Sequence, residues 1–302
     1  MIELGYTTVQ IPLAQPTAEA IARLKTLEVE LVFNLFEGFP GYPETEPIVP
    51  TVLSEMGIAY TGCSAKALAL ALNKGKAQAV LNAAGVSTPQ YQILNPEMVN
   101  KFHLRYPVIV KPCSEDASHG LTEDSVVNDI ESLRRQVNLM ASLYGDEVIV
   151  EEFIDGREFN VTVLGNSGYE VLPITEITFT LLPDKPKLLT FAAKWEPESY
   201  YYKNTPPVCP AKLTDEVKKR IIEAAVISFR QLTCSGYARV DMRLDKDGCP
   251  NVIEVNPNPS ISPTSGAASQ VKAAGLTYTH FVEKIVRIAI EKGTNDKCQS
   301  NA

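Results

Sequence analysis

Two β-rich segments near the C-terminus carry most of the information about the fold: GYARVDMR (residues 236–243) and VIEVNPNP (residues 252–259). Both alternate polar and apolar side chains, which is typical of a half-buried strand. Between them lies the sequence Asp245-Lys246-Asp247-Gly248, which is a strong turn signal. The pattern therefore predicts a β-hairpin whose second strand ends at the Asn-Pro-Asn-Pro run, because proline interrupts strand pairing.

The polar residues of this hairpin fall on one face. In a strand, residues two apart point to the same side, so Arg239, Asp241 and Arg243 share a face. Glu254 and Asn256 do the same on the second strand. Pairing these faces would gather two carboxylates and an amide into one oxygen-rich cluster with Arg239 beside it. Oxygen donors without His or thiolate suit Mg²⁺, although a solvated outer face of the hairpin is the alternative.

Three upstream segments carry further candidate ligand groups. Lys111 ends the apolar run of residues 107–111 and leads into the small-residue loop 113–120, a combination that suits phosphate binding by an ammonium and backbone N–H groups. Lys74 is a weaker candidate, because helix lysines usually face water. Residues 147–161 predict a strand, a turn and a second strand. Such a connector can present backbone groups to a flat base and a carboxylate to a ribose.

Composition excludes several classes of protein. The 302 residues are 45% hydrophobic and 21% charged, which are globular values, and the formal net charge of −8 without a basic stripe argues against nucleic-acid binding. No apolar run approaches the roughly 20 residues of a membrane span. P-loop and Rossmann fingerprints are missing from the sequence. The six cysteines show no metal spacing and no leader precedes them, so we expect reduced thiols in a cytoplasmic protein.

Hydrophobic periodicity predicts an N-terminal parallel α/β unit followed by two α+β units, so the fold class is α/β and α+β. The predicted strands are residues 30–36, 58–60, 90–94, 107–111, 147–152, 158–165, 170–177, 187–191, 238–244 and 251–255. The predicted helices are residues 47–56, 64–84, 126–143, 214–232 and 278–291. Residues 195–203 are interpreted as a mobile lid, with a polar surface loop as the alternative.

In their order and spacing these motifs resemble the ATP-grasp fold and, within it, the D-alanine–D-alanine ligase family, over about residues 7–292. The resemblance implies a truncated N-terminal parallel α/β (pre-ATP-grasp) domain at residues 1–63. A central ATP-grasp lobe would follow at residues 64–152 and a C-terminal catalytic lobe at residues 153–302. ATP would be held between these two α+β lobes.

The resemblance also implies a role for individual residues. Lys74 and Lys111 would bind the phosphates of ATP, and Lys194 would bind ATP from the start of a mobile loop. Adenine would be bound by Glu151 and by the backbone of Glu152, Phe153 and Ile154. Glu158 would bind the ribose. Two Mg²⁺ ions, with Mn²⁺ as an alternative, would be held by Asp241, Glu254 and Asn256. The implied catalytic residues are Arg239, which would polarise the reacting carboxylate, Lys194 and Ser118.

The implied activity is an ATP- and Mg²⁺-dependent ligation of a carboxylate to an amine through an acyl phosphate, as in peptidoglycan biosynthesis. The partners would be ATP and small amino-acid substrates, with no nucleic acid and no membrane. An exposed sheet edge in the N-terminal domain would invite a homodimer.

Four departures from the family concern the amino-acid substrate. The chain begins at what resembles the second strand of the family, without the acidic residue that binds an ammonium, and Ala117, Trp195 and Ser260 stand where the ligases commonly have serine, tyrosine and glycine. These departures leave two alternatives open. One is an ATP-grasp ligase or cyclo-ligase that acts on a different amino acid or peptide. The other is a non-catalytic ATP-binding regulatory protein.

Overall fold

Three β-sheets organise the chain, which a computed structural model describes over residues 1–115, 118–145 and 147–300, with side chains up to residue 293. The strands are β1 (Leu31–Val32), β2 (Ala59–Tyr60), β3 (Tyr91–Leu94), β4 (Val108–Pro112), β5 (Val126–Val127), β6 (Val148–Glu152), β7 (Glu158–Gly165), β8 (Glu170–Val171), β9 (Thr175–Ile177), β10 (Pro207–Val208), β11 (Gly236–Leu244) and β12 (Pro250–Asn256). The helices are α1 (Thr17–Leu24), α2 (Ile48–Glu55), α3 (Ala65–Leu72), α4 (Lys74–Ala83), α5 (Ile130–Tyr144), α6 (Phe191–Trp195), α7 (Tyr200–Lys203), α8 (Asp215–Gln231), α9 (Gly266–Ala273) and α10 (Tyr278–Ser300).

The N-terminal sheet consists of β1 and β2, which pair in parallel as predicted. Helices α1 and α2 cover it with a small apolar core that includes Leu24, Val52 and Leu53. The predicted strand at residues 30–36 is too long, because the chain pairs only at Leu31–Val32. After β1 the backbone is held by side chains instead: Asn34 N–H donates to Thr61 Oγ1 at 3.0 Å.

The second sheet is antiparallel, with strand order β3-β6-β4-β5. Helix α5 packs its apolar residues against the sheet and begins at Ile130, because the Asp129 side chain accepts a hydrogen bond from Ser132 N–H and caps the helix there. The prediction of a helix from residue 126 was therefore wrong at its start, where Val126 and Val127 pair with β4 as β5. This sheet forms one wall of the site described below.

The third sheet is antiparallel, with order β10-β9-β7-β11-β12 and β8 beside β7. The predicted strand at residues 170–177 is interrupted between β8 and β9, where Pro173 lies. The predicted strand at residues 187–191 is wrong. Its backbone carbonyls at Lys187 and Leu189 accept hydrogen bonds from side chains, and Thr190 caps α6. Residues 187–190 therefore run along the cleft as irregular backbone and form a strap.

The predicted helix at residues 64–84 is two helices, α3 and α4, separated at Asn73. Asn73 has an extended backbone (φ −87°, ψ 97°), and its side chain accepts a hydrogen bond from Lys76 N–H, which starts α4. Both helices contribute to the core beneath the third sheet, where Leu68 and Leu81 join residues of β7, β11 and α8. The three-domain division of the chain remains a prediction.

The terminal helix α10 continues to Ser300, past the predicted end at residue 291. Over the residues that the structure describes, no helix has both the length and the apolar character needed to cross a bilayer. The five cysteines with described side chains, Cys63, Cys113, Cys209, Cys234 and Cys249, are free thiols as predicted.

Candidate functional site

A cleft with a volume of ≈ 670 Å³ lies between the second and third sheets. Its lining includes every predicted site residue except Asn256: Lys74, Lys111, Ser118, Glu151, Glu152, Phe153, Ile154, Glu158, Lys194, Arg239, Asp241 and Glu254. The cleft has the size of typical small-molecule sites. Residues that are up to 180 positions apart in the sequence are thus brought to one place.

The hairpin of β11 and β12 forms one wall of the cleft and has the predicted pairing. Arg239 lies opposite Asn256, and Asp241 lies opposite Glu254. Side chains directly opposite one another in an antiparallel pair project to the same face with Cβ atoms about 4.5–5.5 Å apart. A bulge between Asp241 and Met242 shifts the register after this point. The oxygen-rich cluster is therefore present on the cleft side of the sheet.

The Asp241 carboxylate is buried, and both of its oxygens accept hydrogen bonds from neighbouring donors. Arg239 donates from Nε to Oδ1 at 2.7 Å and from NH2 to Oδ2 at 2.8 Å, and Asn160 Nδ2 donates to Oδ1 at 2.8 Å. Burial by itself would lower the pKa of Arg239, but the Asp241 carboxylate raises it above the usual range. The guanidinium therefore stays charged beside Asp241 and Glu254.

Glu254 lies among cations from three elements. Lys74, the first residue of α4, places Nζ 3.8 Å from Glu254 Oε1 and also donates to the Glu115 carbonyl. Burial would raise the pKa of Glu254, but Lys74, Lys194 and Arg239 together hold it below the usual value. The carboxylate is therefore ionised at neutral pH, and the break at Asn73 aims Lys74 into the cleft.

On the opposite wall, Lys111 and Glu151 form a buried ion pair. Lys111 Nζ donates to Glu151 Oε2 at 2.5 Å, and Gln78 Nε2 donates to Oε1 of the same carboxylate. The side chain of Glu151 is only 1% exposed. Its two oxygens are thus held by protein donors, while the Lys111 ammonium keeps donors for an anion because it has three N–H groups.

The connector between the two sheets begins at Glu152. The N–H groups of Glu152 and Phe153 donate to the carbonyls of Gln90 and Pro107 at 2.8 and 2.9 Å. These two N–H groups are therefore already used within the protein. Of the three residues whose backbone is predicted to bind adenine, this leaves the N–H of Ile154 as a donor to the edge of the base.

Glu158 is buried at the start of β7, and its Oε2 accepts hydrogen bonds from Arg243 on β11 at 2.9 and 2.6 Å. The two residues are opposite one another in the β7–β11 register. Sequence reasoning had placed Arg243 on this face but had assigned it no role at the site.

The loop that follows β4 packs against the irregular strap. Ser118 has φ +63° and donates from Oγ to the Leu189 carbonyl at 2.9 Å. His119 stacks on Phe191 with ring centroids 5.6 Å apart, and Trp195 lies 6.5 Å from the same ring. The loop is therefore held against the strap by hydrogen bonding and aromatic packing. Ala117, one of the departures noted above, lies outside the described residues.

Lys194 lies on α6 and faces the hairpin across the cleft. Burial and the neighbouring positive charge of Arg239 lower the pKa of Lys194 below its usual value of 10.5, and Glu254 and Asp241 oppose that effect. The predicted lid at residues 195–203 contains α7, and buried Tyr201 anchors it.

Asn256 lies at the end of β12, and Asn258 beyond it connects the hairpin to the N-terminal part of the chain. Its Oδ1 accepts from the N–H of Asn258 at 2.8 Å, and Asn258 Nδ2 donates to the Phe36 carbonyl at 3.0 Å and to Glu46 Oε1 at 2.6 Å. The N-terminal domain is thus hydrogen-bonded to the segment that follows the predicted metal ligands.

Sequence reasoning missed several residues that hold the site residues in place. Two of them carried a signal. Gln78 is one helical turn after Lys74 on α4, and Asn160 shares the strand face of Glu158. The contact of Asn258 with Glu46 spans 212 positions and has no local signature.

Two α+β lobes that face one another across a cleft lined by lysines and carboxylates define the ATP-grasp class of ATP-dependent ligases. The comparisons with known proteins agree. The family model "D-ala D-ala ligase C-terminus" matches residues 80–287. The chain belongs to the D-alanine–D-alanine ligase family.

Three relatives illustrate the similarity. The chain is 36% identical over 260 residues to the uncharacterized protein y4sG of Sinorhizobium fredii, which covers 86% of this chain and 74% of that protein. It is 31% identical over 284 residues to a D-alanine–D-alanine ligase of Halalkalibacterium halodurans, with coverage of 91% and 86%. The crystal structure of D-alanine–D-alanine ligase from Bacillus anthracis complexed with ATP has a similar fold, with a TM-score of 0.77, 24% identity, and coverage of 97% of this chain and 89% of that chain.

The family membership confirms the predicted ATP-grasp fold and the predicted class of enzyme. The protein is an ATP-dependent ligase that forms carbon–nitrogen (amide) bonds, as members of this family do with ATP and amino-acid substrates, and a role in peptidoglycan synthesis is consistent with its homologues.

Proposed function

We propose that this ligase uses Mg²⁺ and an acyl-phosphate intermediate to join the carboxylate of one amino acid to the amine of another. The observation that carries the proposal is the pairing of Asp241 with Glu254 on the cleft face, with Asn256 two residues further along the same face of β12. Lys74 lies 3.8 Å from Glu254 on the facing side. Carboxylates that could bind a metal ion thus lie beside ammonium groups that could neutralise a triphosphate.

The donor set fits Mg²⁺. In the part of the chain that the structure describes, no three His, Cys, Asp or Glu side chains converge as a self-sufficient metal site. Two carboxylates and an amide oxygen suit a cation that keeps coordination positions for phosphate oxygens. Asp241, Glu254 and Asn256 would hold the metal, and Mg²⁺ would neutralise charge on the transferring phosphoryl group. Measuring ATP turnover at increasing concentrations of Mg²⁺ or Mn²⁺ would give the number of ions required and show whether Mn²⁺ replaces Mg²⁺.

The proposed reaction has two steps. A substrate carboxylate oxygen attacks the γ-phosphorus of ATP, the bond to the β,γ-bridging oxygen breaks, and ADP leaves. The amine of the second substrate then attacks the acyl carbon, loses a proton, and displaces inorganic phosphate. Lys74, Lys111 and Lys194 would hold the phosphates, Arg239 would polarise the reacting carboxylate, and the Ser118 loop would cover the site. The protein's contribution is mainly positioning and charge neutralisation.

The identity of the amino acids is a separate part of the proposal. D-alanine is the substrate that family membership favours. The resemblance leaves a second candidate open, a ligase or cyclo-ligase for a different amino acid or peptide, because Trp195 and Ser260 stand where the ligases commonly have tyrosine and glycine. A homodimer and a cytoplasmic location also remain predictions.

A substrate panel tests the proposal. We expect Mg²⁺-dependent phosphate release from ATP when the enzyme is supplied with individual D- and L-amino acids and with pairs of them. Release that requires D-alanine supports the first candidate, and release with another amino acid supports the second. Mass spectrometry of the product distinguishes a dipeptide from a ring. Absence of release throughout the panel would contradict both and favour a nucleotide-binding protein without turnover.

The lowered pKa of Lys194 predicts an alkaline limb in the use of ATP. Because only the protonated ammonium attracts phosphate, kcat/KM for ATP should fall as the pH rises through this lowered pKa, before ordinary lysines lose their protons. Lys194→Arg should move the decline to higher pH, since arginine stays charged. The pH dependence of kcat/KM measures this.

The matched control for this experiment is Lys219→Arg, at an exposed lysine of α8 that is paired with Glu223 and does not line the cleft. It should leave the pH profile unchanged. An alkaline limb that is the same in wild type and Lys194→Arg would show that another group titrates.

A further inference from the structure

Arg243 is a buried arginine at the cleft, and the proposed reaction assigns it no role. Its side chain is 3% exposed. Nε and NH2 donate to Glu158 Oε2 at 2.9 and 2.6 Å, NH1 donates to the Ile154 carbonyl at 2.7 Å, and NH2 also donates to the Lys187 carbonyl. A guanidinium has five N–H donors. These four bonds show that the group is committed to the protein rather than to a ligand.

Two aromatic rings hold the guanidinium in place. The Arg243 Cζ atom lies 5.0 Å from the centroid of the Phe153 ring and 5.5 Å from that of Phe179. Arginine is the side chain best suited to such a position, because its planar, weakly hydrated cation stacks on rings while its N–H donors point outward in the same plane. Arg243 is therefore fixed in orientation.

The ion pair with Arg243 uses only one of the two carboxylate oxygens of Glu158. Both hydrogen bonds from Arg243 reach Oε2, so Oε1 keeps its lone pairs while its carboxyl group is locked in one orientation. Glu158 lines the cleft beside Ile154 of the connector, whose carbonyl the same guanidinium fixes. An acceptor and the connector backbone are thus oriented by one side chain before any ligand arrives.

We propose that Arg243 is the positioning residue for ribose recognition, because it orients Glu158 so that Oε1 accepts hydrogen bonds from the ribose hydroxyls of ATP. The inference rests on the proposed role of Glu158 in nucleotide binding. An acceptor that is already oriented pays less conformational entropy on binding than a mobile glutamate, so its bond to the ligand contributes more to affinity. Arg243 acts through Glu158 and contacts no reacting atom.

Equilibrium binding of two nucleotides tests this. Calorimetric titration with Mg²⁺ and either ATP or 2′,3′-dideoxy-ATP, without amino acids, should show that the wild type binds ATP about ten-fold or more tightly, since a hydrogen bond to a charged acceptor is lost in the dideoxy compound. In Arg243→Met, the ATP affinity should fall close to that of 2′,3′-dideoxy-ATP, whose own affinity should change little. A purely structural defect would instead weaken both nucleotides equally.

The matched control is Arg157→Met. Arg157 also makes a two-bond pair with a glutamate, Glu176, at 2.7 and 2.6 Å, and also packs on a ring, Phe159 at 5.1 Å, but it does not line the cleft. Its removal should leave the preference for ATP at the wild-type ratio. Arg243→Lys keeps the charge without the two-pronged geometry and should show an intermediate ratio, which provides the answer if Arg243→Met does not fold.

The possible outcomes separate the inference from the proposed function. A wild type that binds neither nucleotide contradicts the proposed ATP site and the inference together. A wild type that binds both equally contradicts the role of Glu158 at the ribose. A wild type that prefers ATP, with the same preference in Arg243→Met and Arg243→Lys, leaves the proposed function standing and overturns the inference about Arg243.

Discussion

Asp241→Asn is expected to lower ATP turnover by about 10²–10³-fold, the range observed when one preorganised electrostatic group is removed from an active site. The amide keeps the size of the side chain but loses the negative charge that a metal ion requires. It also leaves Arg239 without the carboxylate it binds at 2.7 and 2.8 Å. The effect is measured as the rate of ADP formation with Mg²⁺-ATP and the amino acids identified in the substrate panel. Glu254→Gln should lower ATP turnover to a similar extent.

The control for this experiment lies on the same hairpin. Asp247→Asn makes the identical chemical change at an exposed position of the turn and should leave turnover at the wild-type level. Titration with Mg²⁺ adds a second measurement, because loss of a ligand should raise the Mg²⁺ concentration needed for half-maximal activity. If either cleft variant retained wild-type turnover, the metal assignment would be wrong.

The hairpin was predictable because all of its signals are local. Alternation of polar and apolar residues indicated the two strands, and the Asp245 turn indicated how they connect: Asp245 Oδ1 accepts hydrogen bonds from the N–H groups of Asp247 and Cys249 at 2.9 Å. The face shared by Arg239, Asp241 and Glu254 then followed from strand geometry alone. Motifs of this kind can be read from a single sequence.

The break between α3 and α4 was not predictable in the same way. Alanine, leucine and lysine favour helix on both sides of the break, and only the cap preference of Asn73 and the low helix propensity of Gly75 oppose a continuous helix locally. The interruption is stabilised by a contact with the loop after β4, because Lys74 N–H donates to the Cys113 carbonyl at 3.0 Å. Similarly, the strap at residues 187–190 has strand-like composition, yet its carbonyls bind Arg243 and Ser118. Tertiary hydrogen bonds of this kind have no signature in the local sequence.

Lys111→Met is the second substitution with a large expected effect, and it should affect both stability and ATP binding. Removal of the ammonium leaves the Glu151 carboxylate, whose side chain is 1% exposed, with Gln78 as its remaining partner. Breaking a buried ion pair by removing one partner costs about 3–5 kcal/mol. Denaturant unfolding should show a loss of that size. Lys76→Met, at an exposed lysine on α4, is the matched control and should change the free energy of unfolding little.

The double variant Lys111→Met/Glu151→Gln separates the two roles of Lys111. Replacing the carboxylate by an amide removes the uncompensated charge, so the free energy of unfolding should recover most of the loss. ATP affinity should stay low, because the ammonium proposed to bind the phosphates is still missing. Recovery of both properties in the double variant would mean that Lys111 acts only as the partner of Glu151. Recovery of stability alone assigns its remaining N–H groups to the phosphates and explains why a buried ion pair lines the cleft: Glu151 holds in place a lysine whose charge the nucleotide uses.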